Sequence, residues 1–360
     1  MPAESGAERL AVVLFNLGGP DNPAAIYPFL RNLFSDPAIL RVPFFVRPFL
    51  ARIIARARRK PATANYALLG GRSPLLDLTR CQADALAMAL NGNGSGVMAR
   101  CFIAMRYWHP FADTVAREVA AWKPDRIVLL PLYPQYSTTT TGSSLSDWRE
   151  AAARAGLVAD ITTLCCYPTH AGYAAANAKL VAEAYAEARA ALPEEVGLRV
   201  LFSAHGLPQS IVDAGDPYAW QIGESVAAVL QAWGAAGIDW QICYQSRATP
   251  QKWLEPSTEQ AIERAAHDKT AVLVVPIAFV SDHSETLVEL DVEYRELAEK
   301  LDVPGYFRAP VANADPRFVA ALAALVMGAR MHGPGLCSHA GGAICPLTQG
   351  DCPHHRAGRA

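Results

Sequence analysis

The chain is 360 residues long, 51% hydrophobic and 18% charged, with a formal net charge of −2. That length suggests about two domains with ample apolar material for their cores, and so balanced a charge gives no reason to expect a nucleic-acid partner. Eight cysteines without a basic, A-x-A-terminated leader point to reduced thiols, which are expected to serve as ligands or packing rather than as disulfides.

MPAESGAERLAVVLFNLGGP places acids ahead of a short apolar run, so no signal peptide is expected. No apolar stretch approaches the ~18–20 residues of a membrane span, and the expected location is the cytoplasm. AVVLFNL (11–17) reads as a buried strand. The GGP after it lacks the rest of a G-x-G-x-x-G turn, so no nucleotide is expected. Segment 22–64 follows and is unusual. Between Pro37 and Leu76 there is no acid, yet eight basic residues from Arg41 to Arg72 interleave with Ile39, Phe44, Phe45, Phe49 and Ile53. An amphipathic helix packed on its own domain would explain this. So would an apolar surface rimmed by cations for an anionic bilayer face, or a lip for a flat apolar ligand bearing carboxylates.

Further strands are expected in GVMARCFIAM (96–105), DRIVLLPLY (125–133), ADITTLCC (159–166), LRVLFSA (198–204), IDWQICY (238–244) and TAVLVVPIAF (270–279), with helices such as 171–190 and 217–234 between them. Most of the runs are continuous rather than alternating, as in parallel strands covered on both faces. The expected class is therefore α/β and doubly wound. LFNLGGP (14–20) is echoed by LFSAHGLP (201–208), and IVLLPLYPQYST (127–138) by VLVVPIAFVSDH (272–283). Chance likeness of buried strands would explain this, and so would two similar halves, the first carrying segment 22–64 as an insertion; the latter is the expected arrangement. The expected units are 1–150, with the basic apolar lip at 37–60, then 151–311, a closing helix at 312–330, and a cysteine-rich tail at 331–360.

Ligands of open α/β sheets bind beyond the carboxyl ends of the strands. Four such ends carry polar groups: Arg106, Tyr107 and His109; the tyrosines and hydroxyls of PLYPQYSTTTTGSS; His205 before Gly206, where backbone crowding is least; and Asp282, His283 and Glu285. Together they imply one shared cleft. Imidazole with carboxylate suits a borderline divalent metal such as Fe(II). In SDHSETLVELDVEYRE (281–296), Glu285, Glu289 and Glu293 stand four apart. On an α-helix they drift only about 40° per step and form a stripe roughly 12 Å long. The stripe is either a solvated face, with about 0.2–0.5 kcal/mol of repulsion per pair, or a graded path for a cation towards His205. The tail holds Cys337, Cys345 and Cys352 and is open to three readings: disorder, a Cys/His zinc site, or an iron–sulfur cluster.

In LFSAHGLP…GDPY (201–218), VPIAFVSDHSETLVELDVEY (275–294), RYWHP (106–110) and LYPQYS with TTGSS, the chain resembles the ferrochelatases from residue 10 to about 330. The resemblance implies two Rossmann-like domains with a porphyrin cleft between them, and insertion of Fe(II) into protoporphyrin IX, the last step of haem synthesis. His205 matches the family's essential histidine and Glu285 its partner carboxylate, both catalytic and metal-binding. His283, Glu289 and Glu293 match the metal path behind them. Arg106 and Tyr107 match the porphyrin-contacting pair, and Leu17, Tyr136 and Ser137 are assigned to the same wall. The 37–60 segment resembles the family's membrane-facing lip, which implies peripheral association with the inner face of an anionic membrane and the preceding haem-pathway oxidase as a partner. Tyr244 departs from the family, standing where tryptophan is frequent.

Some ferrochelatases hold a [2Fe–2S] cluster on C-terminal cysteines plus one from the body of the chain. The match here is imperfect, because the animal-type pattern has a cysteine where Thr138 stands and another near Thr348. The resemblance then implies Cys337, Cys345 and Cys352 with Cys165 or Cys166 as fourth ligand, Cys166 being preferred. Rival readings are a chelatase for coproporphyrin or sirohydrochlorin, and a non-catalytic haem carrier. A carrier has no need of the glutamate path.

Overall fold

The computed structural model describes residues 7–92, 96–234, 236–247 and 251–357. Residues 1–6 of the expected first domain and 358–360 of the tail lie outside these. Nine strands run through the described residues: β1 (Glu8–Asn16), β2 (Val97–Met105), β3 (Arg126–Pro131), β4 (Asp160–Leu164), β5 (Leu198–His205), β6 (Asp239–Gln245), β7 (Ala271–Pro276), β8 (Tyr306–Arg308) and β9 (Gly335–Cys337). They form two parallel sheets, ordered β2-β1-β3-β4-β9 and β6-β5-β7-β8. All seven expected strands are present. The two that the sequence did not suggest, β8 and β9, are three residues each.

The internal repeat is a repeat of topology. β1 lies between β2 and β3 as β5 lies between β6 and β7, and each central strand is an unbroken apolar run. Leu10, Val12 and Leu14 point to one face of the first sheet, and Ala11, Val13 and Phe15 to the other, all buried. Burial on both faces is why those strands read as continuous rather than alternating. β4, on the far side of the expected 150/151 boundary, pairs with β3 in the first sheet. Helix Ala171–Ala190 then carries the chain across to β5. The helix Pro316–His332 returns to the first core through Phe318, Leu322 and Leu325, and β9 of the tail adds to the edge of β4.

The insertion in the first half becomes helix Ile26–Ser35 followed by the 22-residue helix Arg47–Leu68. Ala51, Ala55 and Tyr66 of the longer helix are its buried residues; Ala55 and Tyr66 pack with Ile26, Phe29 and Leu30. Its other face and the turn before it stay open: Phe44, Phe45 and Phe49 are 79, 70 and 65% exposed. Arg52, Arg56, Arg59 and Lys60 are exposed alongside them. Apolar and basic residues therefore share one uncovered surface, as the composition of 37–60 suggested.

Candidate active site

β5 ends at His205, and β6, in register with it, ends at Gln245. Gly206 follows because nothing larger fits: a Cβ there would lie 2.9 Å from the Gln245 carbonyl oxygen, which already accepts the Gly206 N–H at 2.8 Å. Beyond β7 the chain turns into a helix over Glu285–Glu293 that is a π-helix, not the α-helix the spacing suggested, closed by the Tyr294 N–H donating to the Glu289 carbonyl. A nine-residue π-helix is uncommon, and wide turns of this kind concentrate at functional sites. Positions four apart remain near one face on the wider turn, so the glutamates still follow one another along it.

The helix brings Glu285 to His205. Oε2 of the carboxylate lies 3.0 Å from His205 Nδ1 and 3.6 Å from His283 Nε2. The two side chains of the shorter pair are 38% and 25% exposed, so the pair is sheltered yet reachable. Burial would raise the Glu285 carboxyl, but the two imidazoles hold it well below the usual carboxylate range. Burial would lower His205, and the charge and hydrogen bond of Glu285 raise it above its ordinary value. Glu289 sits one step back. Its Oε2 accepts from Gln245 Nε2 at 2.9 Å and from the Ser246 hydroxyl, and its Oε1 accepts from the Tyr294 hydroxyl at 3.0 Å. Burial and the charge of Glu285 push its carboxyl up. Glu293, third in line, accepts from Asn65 Nδ2 at 3.1 Å on the long lip helix. Tyr66, next along, is hydrogen-bonded to Ser284, and burial drives its phenol up to about 12. The lip helix thus closes directly over the acidic line.

Gln245, Ser246, Tyr294, Asn65 and Tyr66 were not anticipated. Gln245 and Ser246 do lie in CYQSR, whose tyrosine drew attention. Nothing local in the sequence pairs Asn65 with a glutamate 228 positions away.

The other expected site residues lie elsewhere. Tyr107 is 1% exposed and donates its hydroxyl to Asp36 Oδ2 at 2.8 Å. Arg106 meets the same oxygen at 3.0 Å, reaches Asp147 at 3.7 Å and donates to the Ser143 hydroxyl. The pair therefore anchors the start of the lip through a buried carboxylate. The Leu17 carbonyl accepts the Tyr107 N–H, and the Leu17 side chain packs under the lip. Tyr136 and Ser137 are buried at the seam between the halves, Tyr136 against Cys165 and Cys166, and Ser137 donating to Asp216. Tyr244 is buried in the second core.

Five buried thiols gather on that seam: Cys165, Cys166, Cys337, Cys345 and Cys352. β9 sets Cys337 beside Leu164, and the Cys165 N–H donates to the Cys337 carbonyl at 2.8 Å. The Cys165 and Cys166 sulfurs are 3.4 Å apart, and the Gln221 amide donates to Cys166 at 3.5 Å and Cys345 at 3.1 Å. Cys345 and Cys352 are hydrogen-bonded, which brings the Cys352 thiol down to about 6; Cys166 and then His354 bring Cys165 down to about 7. Cys165 is therefore as well placed as Cys166. Among the described residues, no three His, Cys, Asp or Glu side chains converge tightly enough to hold a single metal ion. Four of the thiols fall into two pairs, Cys165 with Cys166 and Cys345 with Cys352, and with Cys337 these are the side chains here that could serve as ligands.

The ferrochelatase family model matches residues 9–330. A ferrochelatase of Phenylobacterium zucineum is 51% identical over 98% of this chain and 100% of its own length. One from Caulobacter vibrioides is 49% identical over 96% of this chain and 97% of its own. Among solved structures, the sirohydrochlorin chelatase SirB of Bacillus subtilis in complex with cobalt superposes with a TM-score of 0.51 over 90% of this chain and 96% of its own, at 10% identity, a likeness of fold alone.

Proposed function

The chain belongs to the ferrochelatase family and inserts Fe(II) into protoporphyrin IX to give protohaem, and on that premise we propose that His205 and Glu285 are the residues at which insertion takes place. The carrying observation is the 3.0 Å contact between them at the end of β5. Two pyrrole N–H protons leave as one dication enters, so the reaction needs a proton acceptor and a cation ligand at one point. An ionised Glu285 accepts from Nδ1–H of His205 and leaves the Nε2 lone pair as the acceptor for a pyrrole proton. The carboxylate sets the tautomer, and its negative charge stabilises both the imidazolium and the arriving cation. Glu289 and Glu293, with His283 beside Glu285, form the route for metal from the surface. A planar macrocycle hides its lone pairs, so contacts at the rim bend it and expose them. Arg106 and Tyr107 serve this indirectly by fixing the lip, and Leu17 lies under the same wall.

The two sheets are the two Rossmann-like domains of this reading, with the cleft between them. The exposed phenylalanines and cations of the lip hold the protein at the cytoplasmic face of an anionic membrane, where protoporphyrin arrives from the oxidase that makes it. Among the described residues no helix is long and apolar enough to cross the membrane, and a surface-lying lip requires none. The tail thiols hold a [2Fe–2S] cluster on four of Cys165, Cys166, Cys337, Cys345 and Cys352, in a structural or sensory role, since metal insertion transfers no electron. Mixing the protein anaerobically with Fe(II) and protoporphyrin IX tests the assignment. The metalloporphyrin band should grow with wild type and fail with His205→Ala. Equal rates would overturn the placement.

A further inference from the structure

We propose that Tyr294 is a positioning residue for metal delivery, its hydroxyl passing from Glu289 to Glu259 as a cation reaches Glu289. The reading rests on the acidic line being the metal route. Tyr294 is 4% exposed, and its hydroxyl oxygen lies 3.0 Å from Glu289 Oε1 and 3.3 Å from Glu259 Oε1. A phenol has one proton to donate, so two carboxylates compete for it. The longer contact is the weaker one, and Glu259 Oε2 is buried with no hydrogen-bond partner among the described residues. Glu259 is therefore an acceptor short of a donor, while Glu289 already accepts from Gln245, Ser246 and Tyr294. A cation at Oε1 of Glu289 would draw charge from that oxygen and repel the phenolic proton beside it, which favours the hydroxyl's turning to Glu259. Glu259 supplies the place to go, so the hydrogen bond lost at one carboxylate is regained at the other.

The π-turn makes this possible. On an α-helix, residues five apart point about 140° away from each other, and Tyr294 could not lie against Glu289. The i→i+5 turn that closes on the Glu289 carbonyl stacks the two side chains.

The test is a double-mutant cycle with Fe(II) as the varied substrate. Glu259→Gln weakens the receiving acceptor and should raise the metal KM about three- to tenfold, because a carboxylate accepts roughly twice as strongly as a neutral oxygen. The turnover number and the porphyrin KM should stay within about twofold of wild type. In a Tyr294→Phe background the same change should move the metal KM less than about twofold, because Glu259 acts only through the hydroxyl. Equal effects in both backgrounds, or no effect in either, would overturn the hand-off. A porphyrin KM that shifts as much as the metal KM would do the same. Glu259 is partly exposed and Gln keeps its shape, so should Tyr294→Phe fail to fold, Glu259→Gln alone decides by the split between the two KM values. Glu289→Gln separates the premises: if it leaves the metal KM unchanged, the route itself fails, and if only it raises that KM, the hand-off alone fails.

Discussion

Replacing Glu285 by Gln keeps its shape and removes its charge from a contact 3.0 Å from His205 Nδ1. Two unit charges about 4 Å apart interact by about 4 kcal/mol at an effective dielectric near 20 and about 1 kcal/mol in water. The His205 side chain is 38% exposed, so solvent screens much of the interaction, and about 1–2 kcal/mol is the reasonable share. In wild type that interaction raises His205 above its ordinary value. The base is therefore lost by protonation as pH falls through the raised value. Without the charge, burial dominates and His205 moves down, so the acid limb of kcat/KM should shift to lower pH. Turnover at the plateau should nonetheless fall by about 10²–10⁴, because the tautomer is no longer fixed and the entering cation loses a carboxylate. Titrating the His205 ring by NMR in metal-free protein separates the two effects. An acid limb that stays in place or moves up would refute the coupling.

Other outcomes follow from the same structure. His205→Ala should cut turnover by about 10²–10⁴ while porphyrin binding and melting are kept; a loss below about threefold would show that the imidazole is not the base. Replacing Arg52, Arg56 and Arg59 with Gln should weaken flotation with anionic vesicles by about 1 kcal/mol per charge, and added salt should weaken the wild-type protein likewise; indifference to both would dismiss the membrane-facing lip. Gly215 has φ +102 and a Cβ there would meet the Gly350 nitrogen at 2.8 Å, so Gly215→Ala should undock the tail. Lower melting by the equivalent of about 1–3 kcal/mol and faster proteolysis after β9 are expected; unchanged digestion would show that the tail is held elsewhere. Protein made with ample iron should absorb in the visible and bleach on reduction. Cys352→Ser should remove the colour and Cys81→Ser, an exposed thiol, should not; colour surviving Cys352→Ser would take that ligand out of the cluster.

The parallel sheets were legible because their strands are buried on both faces, and continuous apolar runs such as Val12–Val13–Leu14 in β1 and Val272–Leu273–Val274 in β7 say so directly. β8 and β9 were not, because three residues carry no periodicity. β9 exists only as an addition to the edge of β4, held by pairing with Thr162, Thr163 and Leu164. A sequence reads local preference, and this strand has almost none.

The site shows the same limit at the level of single side chains. His205 and Glu285 were visible because one ends a strand and the other lies beyond the neighbouring strand's end, at a sheet end where ligands gather. The contacts that discipline them come from elsewhere: Asn65 from the lip helix, Gln245 from the neighbouring strand end, Glu259 from the helix Thr258–His267. The helical turn itself is hidden too. Spacing by four places the glutamates in line on an α-helix and on a π-helix alike, so the acidic stripe in the sequence is indifferent to which one forms. Only the contact five residues on distinguishes them, and that contact, between Glu289 and Tyr294, binds the acidic line to the packed interior. Tyr294, packed in the core of the second half, thus also reaches the acidic line, because the wider turn sets its hydroxyl against Glu289.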